Sequence, residues 1–80
     1  MRPVLVTGAG GFIGANLCRY FLSRGMPVVA ADHRASGNWR LSPLKRLKRV
    51  HVDLTSAAGV RRLVRGTRPS AVVNCAAYGA

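Results

Sequence analysis

The run Thr7-Gly8-Ala9-Gly10-Gly11-Phe12-Ile13-Gly14 constrains this chain more than any other feature. It follows a short β-branched and apolar stretch, Val4-Leu5-Val6, set off by Pro3 and Gly8, which suits a strand buried on both faces. From Phe12 the period changes: Ile13, Leu17, Tyr20 and Phe21 fall at i, i+4, i+7 and i+8, the apolar stripe of a helix lying on a core. The glycines therefore occupy a tight strand-to-helix turn. Such a turn brings backbone close to a ligand and aims the unsatisfied amides of the first helical turn at it, the geometry that a phosphate needs. Gly8 permits the turn, Gly11 removes a Cβ that would hold phosphates off, and Gly14 lets the helix lie against the strand, while Phe12 and Ile13 offer their amides.

The remaining elements alternate. Gly25 and then Pro27 close the first helix, and Val28-Val29-Ala30-Ala31 reads as a second strand with Asp32 at its C-terminal end. His33 to Pro43 has turn chemistry and no period, after which Leu44 and Leu47 are expected to mark one short basic turn of helix. Val50-His51-Val52 reads as a third strand. Ser56, with Thr55 as the alternative, caps a helix that carries Val60, Leu63 and Val64 on one face and ends at Gly66. Ala71 to Cys75 is the fourth strand.

Strand, helix, strand, loop, strand, helix, strand implies right-handed crossovers and a parallel sheet: an α/β Rossmann-type arrangement with strand order 3-2-1-4. The topological switch point then lies between strands one and four, with Gly8 and Cys75 to Ala77 bordering the crevice. There is no repeat, linker or low-complexity tract. The pattern stops at the fourth strand, so residues 1–80 are expected to be the N-terminal part of a dinucleotide-binding domain, truncated before the remainder of the fold and with no substrate domain. Its fourth strand would form an exposed apolar edge prone to association.

The glycines at 8, 11 and 14 follow a G-x-x-G-x-x-G spacing, and Ile13 breaks the stricter G-x-G-x-x-G pattern. With this spacing, Thr7 to Gly14 resembles the fingerprint of the extended short-chain dehydrogenase/reductases, which include the NAD-dependent epimerase/dehydratase family. The resemblance covers the whole chain: Asp32 with Ser36-Gly37-Asn38, Asp53-Leu54, and Asn74-Cys75-Ala76-Ala77-Tyr78 match successive segments. It implies that Asp32 accepts hydrogen bonds from the adenosine ribose, that Asp53 and the Leu54 backbone hold the adenine edge, and that Ala76 and Ala77 line the nicotinamide side. A carboxylate about 4 Å from a 2′-phosphate would be repelled by several kcal/mol at an effective dielectric of about 20, which ranks NAD ahead of NADP. Arg34 argues the other way, since its guanidinium could neutralise that phosphate.

The resemblance also implies a Tyr-x-x-x-Lys catalytic pair, and that pair is absent. Tyr20 is followed at position 24 by Arg24, and its place on the helical stripe gives it a packing role; Tyr78 has no position 82 to pair with. No catalytic residue is therefore assigned. His33 and His51 have no second ligand at useful spacing, so both read as structural and no metal site is assigned. Cys18 and Cys75 read as small buried hydrophobes, and two cysteines make neither a disulfide scaffold nor a zinc site. A reducing cytoplasm fits them, and no apolar run spans a membrane.

Thirteen Lys and Arg against two Asp give a net charge of +11, which attracts polyanions without choosing among them. The cluster Lys45-Arg46-Leu47-Lys48-Arg49 has only Trp39 nearby as an aromatic, so a solvated basic face ranks above nucleic-acid binding. Arg61, Arg62 and Arg65 fall late in the second helix, where its dipole favours cations. Two functions remain open. One, implied by the resemblance, is the NAD-binding module of an oxidoreductase, epimerase or dehydratase acting on a nucleotide-sugar. The other is a non-catalytic basic module that binds nucleic acid or an acidic partner.

Overall fold

The structure is a computed structural model and describes residues 2–33, 44 and 46–75. Its elements are β1 (Val4–Thr7), α1 (Phe12–Ser23), β2 (Val28–Asp32), β3 (Leu47–His51), α2 (Ala57–Thr67) and β4 (Ala71–Asn74). The four strands form one parallel sheet, as the alternation of elements implies, in the expected order β3-β2-β1-β4. β1 and β2 are central and buried along their whole length, which is why both read as unbroken apolar runs. Among the described residues, no helix is long and apolar enough to cross a membrane.

Alternation along the strands divides the core in two. Val4, Val6, Val28, Ala30 and Leu47 face α1 and pack with Ala9, Ala15 and Cys18. Leu5, Val29 and Ala31 face the other side, where Leu63 of α2 meets them. α1 ends in a Schellman motif: Gly25, at φ 76°, donates to the Leu22 carbonyl, and Met26 donates to the Phe21 carbonyl. α2 begins at Ser56, whose hydroxyl accepts the Gly59 N–H at 3.1 Å.

Three local expectations are corrected. Leu47 belongs to β3 and not to a helical turn, because pairing with Val28 buries it in the α1-side core. Lys48 and Arg49 hid this strand, since charges on an edge strand interrupt the apolar pattern. α2 runs past Gly66 to Thr67 and is capped by Arg68 in the left-handed region, at φ 48° and ψ 58°. Pro69 explains the stop, because it disfavours the helical conformation at the residue before it. The buried face of α1 is Gly14, Ala15 and Cys18, whereas Ile13 and Tyr20 are 67% and 53% exposed. Tyr20 is thus not a core residue; its ring meets Phe21 edge-on at 5.6 Å, with the Arg24 guanidinium 5.7 Å from its centroid. The helix lies so close to the sheet at Gly14 that its fully buried positions are small, while Phe21 and Leu22 pack against the core only partly buried.

Candidate functional site

The turn from β1 to α1 is held by backbone and by one acid. Gly8, at φ 69°, and Ala9 both donate to the Ala31 carbonyl near the end of β2, at 2.9 and 3.3 Å, and Gly11 closes the turn on the Gly8 carbonyl at 3.2 Å. Gly10 donates its N–H to Asp32 Oδ2 at 2.9 Å in a buried bond. The other oxygen of Asp32, Oδ1, lies 3.2 Å from His33 Nδ1. Asp32 is only 8% exposed, so the last residue of β2 fixes the turn and presents its carboxylate beside it.

Gly11 and Gly14 differ sharply. A Cβ at Gly14 would come within 2.3 Å of the Gly8 carbonyl oxygen and 2.8 Å of Ala9 Cα, so glycine is obligatory for the helix to approach. A Cβ at Gly11 would meet only that oxygen, at an ordinary 3.6 Å. Gly11, the N-cap of α1, has an extended backbone (φ −78°, ψ 173°) that any residue can adopt, so nothing inside the protein demands glycine there. No side-chain hydrogen bond caps α1 and no acid stands in its first turn, which leaves the amides after Gly11 suited to an outside anion. Phe12 and Ile13 are 71% and 67% exposed at this end.

The C-terminal ends of β1 and β4 form the other wall. Thr7 pairs with Asn74 in the sheet register, and the Thr7 hydroxyl donates to Asn74 Oδ1 at 2.6 Å. Cys75 donates its N–H to the Thr7 carbonyl at 2.9 Å. Asp53 and Leu54 follow β3 on the same side of the sheet. Asp53 Oδ1 accepts the backbone N–H of Thr55 at 2.9 Å and its hydroxyl at 2.6 Å. Those two hydrogen bonds, hydroxyl first, hold the exposed Asp53 carboxyl below its ordinary pKa, with His33 and His51 adding smaller attractions.

Gly8, Gly11, Phe12, Ile13, Gly14 and Asp32 therefore converge at the ends of β1 and β2, and Asp53 and Leu54 stand beyond the adjacent strand. Arg34, Ala76 and Ala77 lie outside the described residues. Sequence reasoning gave His33 a structural reading without foreseeing its contact with Asp32, and it did not foresee the Thr7–Asn74 bond. Their signal was position: His33 directly follows the strand-end acid, and Thr7 and Asn74 close two neighbouring strands. Among the described residues, no group of three His, Cys, Asp or Glu side chains could hold a metal ion.

A model of the NAD-dependent epimerase/dehydratase family matches residues 4–80. The chain is 40% identical over 76 residues to a dTDP-4-dehydrorhamnose reductase from Streptomyces griseus, an alignment covering 95% of this chain and 20% of that protein. The UDP-glucose 4-epimerase of Thermus thermophilus, solved in complex with NAD, superposes with a TM-score of 0.80 at 40% identity, over 96% of this chain and 24% of that one. The UDP-glucose 4-epimerase of Brucella ovis, also in complex with NAD, superposes with a TM-score of 0.83 at 26% identity, over 100% of this chain and 24% of that one. The chain thus spans about a fifth to a quarter of the length of these relatives. Since the family match begins with the first residue of β1 and takes in the whole sheet as well as the glycine turn, it does not rest on a local motif, and the chain belongs to the NAD-dependent epimerase/dehydratase family.

Proposed function

We propose that this chain is the NAD-binding part of an enzyme that acts on a nucleotide-sugar. The observation that carries the reading is the buried bond from Gly10 N–H to Asp32, which joins the glycine turn to a strand-end carboxylate. The relatives support it: both epimerases described above were solved with NAD. When bound, the nicotinamide would supply reversible hydride transfer.

The chain's own residues bind and orient. Gly8 and Gly14 shape the turn, Gly11 leaves room for the pyrophosphate, and the Phe12 and Ile13 amides donate to it. Asp32 accepts from the adenosine ribose, and Asp53 with the Leu54 backbone borders the adenine. Arg34 near the ribose, and Ala76 and Ala77 on the nicotinamide side, complete the set. NAD is favoured because Asp32 would face the 2′-phosphate of NADP, a like-charge contact of about 4 kcal/mol at about 4 Å and an effective dielectric of about 20.

Calorimetric titration with both dinucleotides tests this, and tighter binding of NADP than of NAD would refute the preference. Gly11→Ala is expected to weaken NAD binding by about tenfold, or ~1.4 kcal/mol, while the unfolding midpoint stays close to that of the parent. Unchanged NAD affinity in that variant would remove the turn from the site.

A further inference from the structure

A concavity lies away from the glycine turn, between the edge strand β3 and α2. It has a volume of about 290 Å³, and Val50, Val52 and Leu63 supply its apolar lining. It runs along α2 from Gly59 to Thr67 and reaches Lys48, near the start of β3, at the opposite end of the strand from Asp53.

The cleft exists because α2 touches the sheet lightly. Gly59, Leu63 and Gly66 are spaced four and three residues apart, so they share one helical face, and Leu63 is the buried residue of α2. A Cβ at Gly66 would meet nothing within 4 Å. Neither packing nor backbone explains glycine here, because position 66 lies inside the helix and a helical glycine costs about 1 kcal/mol relative to alanine. What glycine does provide is open space above an apolar floor.

The rim is cationic. Lys48 and Arg62 both line the cleft and are exposed, their side chains making no hydrogen bond or ion pair among the described residues, and His51 borders them. Among the described residues, no carboxylate lines it. The two acids of the chain are engaged elsewhere, Asp32 with Gly10 and His33, and Asp53 with Thr55. A volume near the lower end of small-ligand sites admits one small ring system. Two cations over an apolar floor match a dianionic head on an apolar body.

We propose that the cleft between β3 and α2 binds a phosphomonoester of an apolar alcohol or phenol, its phosphate between Arg62 and Lys48 and its body against Val50, Val52 and Leu63. The proposal is independent of the cofactor reading. It is tested by titrating the isotope-labelled whole protein with α-naphthyl phosphate and following backbone amide shifts, with α-naphthol and inorganic phosphate as controls. Saturable shifts centred on Val50, Val52, Leu63 and Gly66 are expected, with each control binding at least about tenfold more weakly. Arg62→Gln is expected to weaken binding about tenfold. Gly66→Leu, which fills the cleft with a better helix former, should abolish binding while the thermal midpoint holds or rises. Shifts centred on Gly8 to Ile13, binding of inorganic phosphate as tight as that of the ester, or unchanged affinity in folded Gly66→Leu would each overturn the proposal.

Discussion

Cys18 has no exposed surface and lies on the helix face that meets the sheet. Burial, and secondarily the neighbouring Cys75, pushes its thiol up from 9.0 to about 11. Below about pH 9 both folded and unfolded chains keep the proton, and the full stability is present. As pH rises from about 9 to about 11, the unfolded chain loses the proton first, so stability falls, by on the order of 2 kcal/mol. Urea unfolding across that range should show the loss in the parent and a shallower one in Cys18→Ala. Gly14 makes the complementary case of a residue fixed by contact. With backbone at 2.3 Å from its missing Cβ, Gly14→Ala is expected to cost about 1–3 kcal/mol, read as a lower urea midpoint, where Gly11→Ala leaves it nearly unchanged.

α2 is governed at its ends. The Ser56 hydroxyl satisfies the Gly59 N–H, and Ser56→Ala is expected to lower stability by about 1 kcal/mol. Arg68 holds a left-handed conformation that a side chain disfavours, while its carbonyl accepts Arg2 Nε at 2.9 Å and its N–H donates to the Val64 carbonyl. Those two bonds use only the backbone of Arg68, so Arg68→Gly keeps them and is expected to raise stability by about 1 kcal/mol. Thermal unfolding of the two variants should move in opposite directions. The N-terminal end was legible because a Ser cap precedes an apolar face. The C-terminal end was not, because Gly66 resembles a stop signal and the true stop comes from Pro69 acting on Arg68.

For the molecule as a whole, charge is the dominant imbalance. Net +11 on 80 residues, with one of the two acids buried, means that the folded surface repels itself. Sodium chloride screens that repulsion, so the thermal midpoint should rise with ionic strength, by roughly 4–8 °C for each kcal/mol relieved. A midpoint that falls or stays level would show that the basic residues are already balanced within the fold. The sheet edges differ in the same respect: β3 carries Lys48 and Arg49, whereas β4 is uncharged and leaves Val72 53% exposed. A charged edge discourages pairing with another chain, and an uncharged one does not.

The amino-acid sequence alone determined the alternation of elements, and with it the parallel sheet, the expected Rossmann-type 3-2-1-4 order, the glycine turn and the acid that ends β2. These follow from hydrophobic period, glycine spacing and the handedness of crossovers, all of which are local or topological. Tertiary structure alone decided which face of α1 is buried, because close approach at Gly14 selects small side chains over the larger stripe of Ile13 and Tyr20. It also assigned Leu47 to a strand by pairing it with Val28, brought the Gly10 N–H onto Asp32, and opened the cleft beside Gly66. Each of these depends on what stands opposite a residue across the core, a distance that no spacing within one segment encodes.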